Sequence, residues 1–233
     1  MSARLYGLIP AAGSGTRLGS EQPKQYSQIH GEAMLIHAVR ALLGHAAIET
    51  VFVVLHPDDA SYAALDMSEF GDRVAPLYCG GAARRDSVRN GLLASREAVD
   101  PDDWVLVHDA ARPCLGEKEL HDLIKVLKVD DVGGILAIPL ADTLKRSDSA
   151  SRIEKTEPRE NLWLAQTPQM FRHGTLLRAL DAAPNATDEA GAVEVLGLKP
   201  KLVQGASSNL KVTYAGDIDI AAAILAHNKR NRA

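Results

Sequence analysis

The sequence predicts an α/β fold: a Rossmann-like three-layer sandwich with a mostly parallel sheet, plus a protruding β-arm. Three observations predict it. Short apolar runs without alternation, such as Thr50–Leu55 (TVFVVL) and Trp104–His108 (WVLVH), read as strands covered on both faces. Between them lie segments with a single apolar stripe at helical spacing, the alternation that builds parallel sheets. The chemically rich segments follow the apolar runs directly, so they fall at the carboxyl ends of strands, where ligands bind in open α/β sheets.

The first run, Leu5–Ile9, is a buried strand because it is short and stops at Pro10 and a glycine-bearing loop. Met34, Leu35, Ala38, Leu42 and Leu43 then mark one face of a helix. Thr50–Leu55 is the next strand, Val74–Cys79 a weaker one, and Ser87–Val99 a helix. Trp104–His108 is a strand, Glu117–Val129 an amphipathic helix with Leu120, Leu123, Ile124 and Leu127 on its stripe, and Gly133–Pro139 a further strand. After an apolar stretch at Leu162–Phe171 come helices near Leu176–Ala182 and Asp188–Leu196. Strands around Lys201–Val203 and Leu210–Thr213 and a helix at Ile218–His227 complete the chain.

Ala141–Glu160 (ADTLKRSDSASRIEKTEPRE) departs from this pattern. Its Ser/Asp-rich centre lies between two weakly alternating pieces, which fits a β-hairpin extending from the globule. Such an arm has no core of its own and needs a partner to lean on; a solvated surface loop is the rival reading.

Composition narrows the function classes. The 233 residues are 46% hydrophobic and 24% charged, as in ordinary soluble domains. A formal charge of −4 gives no global cationic field directed at nucleic acid or an anionic membrane, so an anionic ligand must be held by local cations. Cys79 and Cys114 form no CxxC pattern and suit a reduced cytoplasm. No apolar run approaches the roughly 18 residues of a membrane span.

The strongest chemical signal is Pro10–Tyr26, PAAGSGTRLGSEQPKQY. Gly13 and Gly15 permit a tight turn whose N–H groups approach an anion, and Arg17 and Lys24 add two cations. The loop matches neither GxxxxGK(S/T) nor GxGxxG, since the third glycine, Gly19, comes one place late. Gly80-Gly81-Ala82 offers bare backbone after a strand. His108-Asp109-Ala110-Ala111-Arg112-Pro113 ends another strand with a carboxylate and a guanidinium, which could also be a buried pair closing a turn.

These segments, taken in order with DTLKR (Asp142–Arg146), TPQMF (Thr167–Phe171), TDEAGAVE (Thr187–Glu194) and NLKVT (Asn209–Thr213), carry a resemblance. The chain resembles the nucleotide-sugar pyrophosphorylase-like nucleotidyltransferases, specifically the cytidylyltransferases acting on polyol phosphates, over nearly its whole length. Within them it is most similar to the branch acting on 2-C-methyl-D-erythritol 4-phosphate in non-mevalonate isoprenoid synthesis. The resemblance implies one nucleotidyltransferase domain, 1–233, with residues 141–160 as a dimerisation arm of a homodimer. It implies CMP transfer from CTP, with Mg²⁺ carried mainly by the CTP phosphates rather than by a protein metal site.

The same resemblance implies roles for particular residues. Arg17, Lys24 and Lys211 would stabilise charge at the α-phosphate. Pro10, Ala11, Ala12, Gly13, Gly15, Gly80, Gly81, Ala82, Ser87, Asp109 and Ala110 would bind CTP. Relatives carry an acidic residue where this chain has Ala82, so contacts there rest on backbone groups. Asp109, Arg112, Thr143, Arg159 and Thr167 would bind the polyol phosphate, with Thr143 and Arg159 reaching a neighbouring subunit's site. His108 supports its loop, and Thr187-Asp188-Glu189 reads as a helix cap with acidic first-turn residues. Two alternatives stand beside this: ribitol 5-phosphate as acceptor, and an NAD-binding Rossmann oxidoreductase. The latter is disfavoured by the late Gly19 and by His56-Pro57 where an acidic residue would close the second strand.

Overall fold

The computed structural model describes residues 3–13 and 23–230. In chain order the elements are β1 (Leu5–Pro10), a 3-10 turn (Lys24–Tyr26), β2 (Gln28–Ile29), β3 (Glu32–Ala33), α1 (Met34–Leu43), β4 (Ile48–Val54) and β5 (Val74–Leu77). Next come α2 (Arg84–Ser95), β6 (Trp104–Val107), α3 (Glu117–Leu127), β7 (Gly133–Pro139), β8 (Leu144–Ser147) and β9 (Ile153–Glu157). The chain ends with β10 (Trp163–Arg172), α4 (His173–Ala182), α5 (Glu189–Val195), β11 (Lys201–Gln204) and α6 (Gly216–Arg230).

Seven strands form the central sheet in the order β11-β7-β10-β6-β1-β4-β5. The pairs β6–β1, β1–β4, β4–β5 and β7–β11 are parallel. Strand alternation divides the core into two layers. Leu5, Ile9, Val51, Val53 and Leu106 face α1 and α3, packing on Leu35, Leu42, Leu120 and Leu123. Tyr6, Leu8, Phe52, Val54 and Val107 face α2, α4 and α5, packing on Val88, Leu92, Leu176 and Val193. This explains why the strands read as continuous apolar runs: both faces are covered.

β10 is antiparallel to both β6 and β7. The reason is the arm. β8 and β9 form an antiparallel hairpin with Leu144 opposite Glu157, which returns the chain beside the strand it left. At the base of the arm the β7–β10 ladder runs on by one bond, Leu140 N–H to Leu162 O at 3.0 Å.

Some elements differ from the expectation. α2 starts at Arg84, three residues before Ser87, because Ala83 is its extended N-cap and the Ser87 side chain turns back within the first turn. Leu210–Thr213 is not a ladder strand; it is fixed by one backbone bond, Val212 N to Ala111 O at 2.8 Å. The β2–β3 hairpin lay below what periodicity resolves, each strand having two residues.

Candidate active site

A cleft of about 610 Å³ opens at the carboxyl ends of β6, β1, β4 and β5. Its floor is backbone. Gly80 donates to Leu55 O at 2.8 Å and lies so close to the first loop that a Cβ there would stand 2.2 Å from Ala12 Cβ. A Cβ on Gly81 would stand 2.5 Å from Asp86 Cβ. Glycine at 80 lets the two loops meet, and glycine at 81 lets its own turn close onto the start of α2. Gln25, buried, donates from Nε2 to Ala11 O at 2.7 Å and ties the Lys24 turn to the end of β1.

Of the residues assigned to CTP and to the α-phosphate, Pro10, Ala11, Ala12, Gly13, Lys24, Gly80, Gly81, Ala82, Ser87, Asp109, Ala110 and Lys211 line this cleft. Gly15 and Arg17 lie outside the described residues. Ser87 Oγ accepts from Gly81 N–H at 3.1 Å and lies 3.2 Å from Ala83 O, to which it donates; the hydroxyl therefore shapes the turn.

The charged wall centres on Asp109. Its Oδ2 lies 2.7 Å from Lys211 Nζ, and its Oδ1 accepts from Arg84 Nε at 2.8 Å. Arg84 also grips the buried Glu189 with both terminal nitrogens, at 2.7 and 3.0 Å. Burial alone would raise the Asp109 carboxyl, but Arg84 and Lys211 outweigh it and hold the group well below the usual carboxylate range. Burial likewise opposes the Arg84 charge, and Glu189 and Asp109 together keep the guanidinium protonated. Asp109 is thus held as an ionised carboxylate with one oxygen on each cation.

Behind Asp109 stands a closed hydrogen-bond unit. His108 is fully buried, which pushes its imidazole down to about 4 and keeps it neutral. Its Nε2 lies 3.0 Å from Arg112 O and must carry the proton, since a carbonyl only accepts. Nδ1 then accepts from Thr167 Oγ1 at 3.0 Å, and Thr167 Oγ1 accepts from Asp109 N–H at 3.0 Å.

The family whose profile matches the chain is described as IspD: 2-C-methyl-D-erythritol 4-phosphate cytidylyltransferase, over residues 5–227. The relative of that name from Dechloromonas aromatica (strain RCB) is 54% identical over 226 residues, covering 97% of this chain and 99% of its own. The chain belongs to the 2-C-methyl-D-erythritol 4-phosphate cytidylyltransferase family. Its namesake from Nitrosospira multiformis (strain ATCC 25196 / NCIMB 11849 / C 71) is also 54% identical, covering 96% of this chain and 98% of its own. A solved structure described as 4-diphosphocytidyl-2C-methyl-D-erythritol synthase superposes with a TM-score of 0.86 at 40% identity, covering 97% of this chain and 99% of that one.

Within this cytidylyltransferase fold, four expected substrate residues stand apart from the cleft lining: Arg112, Thr143, Arg159 and Thr167. Arg112 is buried and donates to Asn209 O at 2.5 Å and Ala165 O at 3.3 Å, joining β10 to the Lys211 segment. The alternative reading of Asp109 and Arg112 as a buried pair closing the turn does not hold: Asp109 pairs with Arg84 and Lys211 instead. Thr143 and Arg159 are exposed on the arm. Arg84 and Glu189 carry no sequence signal that marks them as site residues. A first-turn arginine and an acidic residue after a helix cap look like solvated or capping charges, and only the tertiary fold brings them together across 105 positions.

Proposed function

We propose that this cytidylyltransferase family member transfers CMP from CTP to 2-C-methyl-D-erythritol 4-phosphate. The products are 4-(cytidine 5'-diphospho)-2-C-methyl-D-erythritol and pyrophosphate, a step in isoprenoid precursor synthesis. The observation that carries this reading is the ring of Lys24, Arg84 and Lys211 around a cleft floored by glycine backbone, in a chain matching the family from residue 5 to 227. Arg17 would add a further cation from the first loop.

A phosphate oxygen of the acceptor attacks the α-phosphorus of CTP. A new P–O bond forms, the bond to the bridging oxygen breaks, and pyrophosphate leaves with that electron pair. The phosphate nucleophile is already ionised at neutral pH, so no general base is required. What the protein supplies is alignment and a fixed field for the charge gathering on the α-phosphoryl oxygens. Lys24 and Lys211 supply that field, while Asp109 holds the Lys211 ammonium in place. The Gly80–Ala82 backbone recognises the cytosine edge.

Among the described residues no group of three or more His, Cys, Asp or Glu could hold a metal, and Asp109, the one carboxylate on the described cleft wall, already has both oxygens paired. That donor set suits Mg²⁺ arriving on the triphosphate, with Asp109 the protein carboxylate nearest to hand. Such an ion, when bound, neutralises phosphate charge.

The arm is read as a homodimer contact. Leu144, Ile153, Leu162, Trp163 and Leu164 are exposed along it and at the start of β10, an apolar run that a second copy would cover. Thr143 and Arg159 would then serve the neighbour's acceptor site. Free Cys79 and Cys114 suit a reducing cytoplasm, and no helix among the described residues is long and apolar enough to cross a membrane.

The test is pyrophosphate release with CTP, Mg²⁺ and each acceptor in turn. Rapid turnover of 2-C-methyl-D-erythritol 4-phosphate is expected; faster turnover of ribitol 5-phosphate would overturn the acceptor assignment.

A further inference from the structure

The chain of charges behind Lys211 reaches farther than the reaction itself requires. From the cleft inward it runs Lys211 Nζ to Asp109 Oδ2 at 2.7 Å, Asp109 Oδ1 to Arg84 Nε at 2.8 Å, and Arg84 to Glu189 at 2.7 and 3.0 Å. Lys211 and Arg84 are the partly exposed members, at 42% and 29%, and Glu189, at 1%, anchors the series in the core. We propose that Glu189, through Arg84, is a positioning residue for Lys211, fixing where the cleft ammonium stands during nucleotidyl transfer.

Glu189 suits this role because its own place is fixed from three sides. Asp188 caps α5 by accepting from Gly191 N–H at 2.9 Å. Gln169 of β10 donates to the other Asp188 oxygen at 3.0 Å, and its own carbonyl oxygen accepts from Ala190 N–H at 2.9 Å. The first turn of α5 is thereby pinned to the central sheet, and Glu189 cannot follow a moving Arg84. The two-pronged contact fixes the guanidinium plane, and that plane fixes the direction of Nε. Nε in turn selects which Asp109 oxygen faces inward and which faces Lys211. A carboxylate on Asp109 without this constraint could rotate and carry the ammonium with it. A misplacement of about 1 Å costs roughly a hundredfold in rate when the misplaced group acts in the transition state.

This inference rests on the cytidylyl-transfer reading above, and its test separates the two. Glu189→Gln keeps the shape but places an N–H donor against one guanidinium prong. Arg84→Lys keeps a cation and loses the fork. For both variants we expect kcat to fall by about tenfold or more with a smaller change in KM for CTP. Combined with Lys211→Ala, the Glu189→Gln loss should largely vanish, because the group it positions is gone. Losses that multiply independently in the double variant would overturn the proposal, as would full kcat in Arg84→Lys. A crystal structure of Glu189→Gln supplies a readout independent of turnover. Displacement of the Asp109 carboxylate or Lys211 Nζ is expected, and unmoved positions would overturn the proposal. Absence of turnover in the unaltered chain with CTP and the methylerythritol phosphate would refute the functional reading alone, leaving the crystallographic arm to decide this one.

Discussion

Gly80 backs directly onto Ala12, two residues that belong to different βα turns and are 68 positions apart in the chain: a Cβ at Gly80 would stand 2.2 Å from Ala12 Cβ and 2.7 Å from Leu55 O. The second contact is with backbone, so no rotamer change relieves it. Gly80→Ala must therefore push the first loop outward or unseat the turn from β4. We expect CTP affinity to fall by more than about tenfold and stability by about 1–3 kcal/mol, the range for forced overpacking. Calorimetric titration and urea unfolding read the two effects.

Lys24 and Arg17 are expected to act on the transition state. Lys24→Ala or Arg17→Ala should lower kcat by about 100-fold or more, the scale for removing one preorganised charge donor. A steady-state comparison decides it: a change confined to KM contradicts the assigned role.

Acid should unfold this protein partly through His108. Burial lowers its imidazole to about 4, so below the ordinary histidine value near 6.5 the unfolded chain takes up a proton that the folded chain refuses. Stability therefore falls as pH drops from about 6.5 towards 4, and this residue contributes a loss of about 2 kcal/mol between pH 7 and pH 5. Burial shifts His37 and His45 in the same direction, so the whole protein loses more. His108→Gln should remove only its own share: the gap between urea midpoints at the two pH values should narrow without closing, and an unchanged pH dependence would contradict the burial argument.

The arm predicts complementation between chains. Arg159→Ala should raise KM for the acceptor phosphate and leave CTP affinity unchanged. Mixed with Lys24→Ala chains, it should regain part of the activity, since each hybrid dimer keeps one site with both residues intact. No recovery in demonstrated hybrids would refute a shared site. Ile153→Lys should shift the protein towards monomer in sedimentation, because it places a charge on the most exposed apolar residue of the hairpin.

Sequence periodicity alone was enough for the layered α/β fold, because strands covered on both faces must be apolar throughout and helices packed on one side must be striped. It also located the cleft, since glycine turns and charges after buried strands have few purely structural uses, and twelve of the expected residues line it. The hairpin at Leu144–Glu157 was legible from polarity and spacing. Only the tertiary structure decided which charges meet. Arg84 and Glu189 carry no periodic or motif signal of their own, and Asp109 chose Arg84 over the nearby Arg112 because Arg112 is drawn to the Asn209 and Ala165 carbonyls. The direction of β10 was decided in the same way, by a hairpin that reverses the chain. Burial is a local property that a sequence displays residue by residue; pairing depends on where distant segments are brought, and no local pattern encodes it.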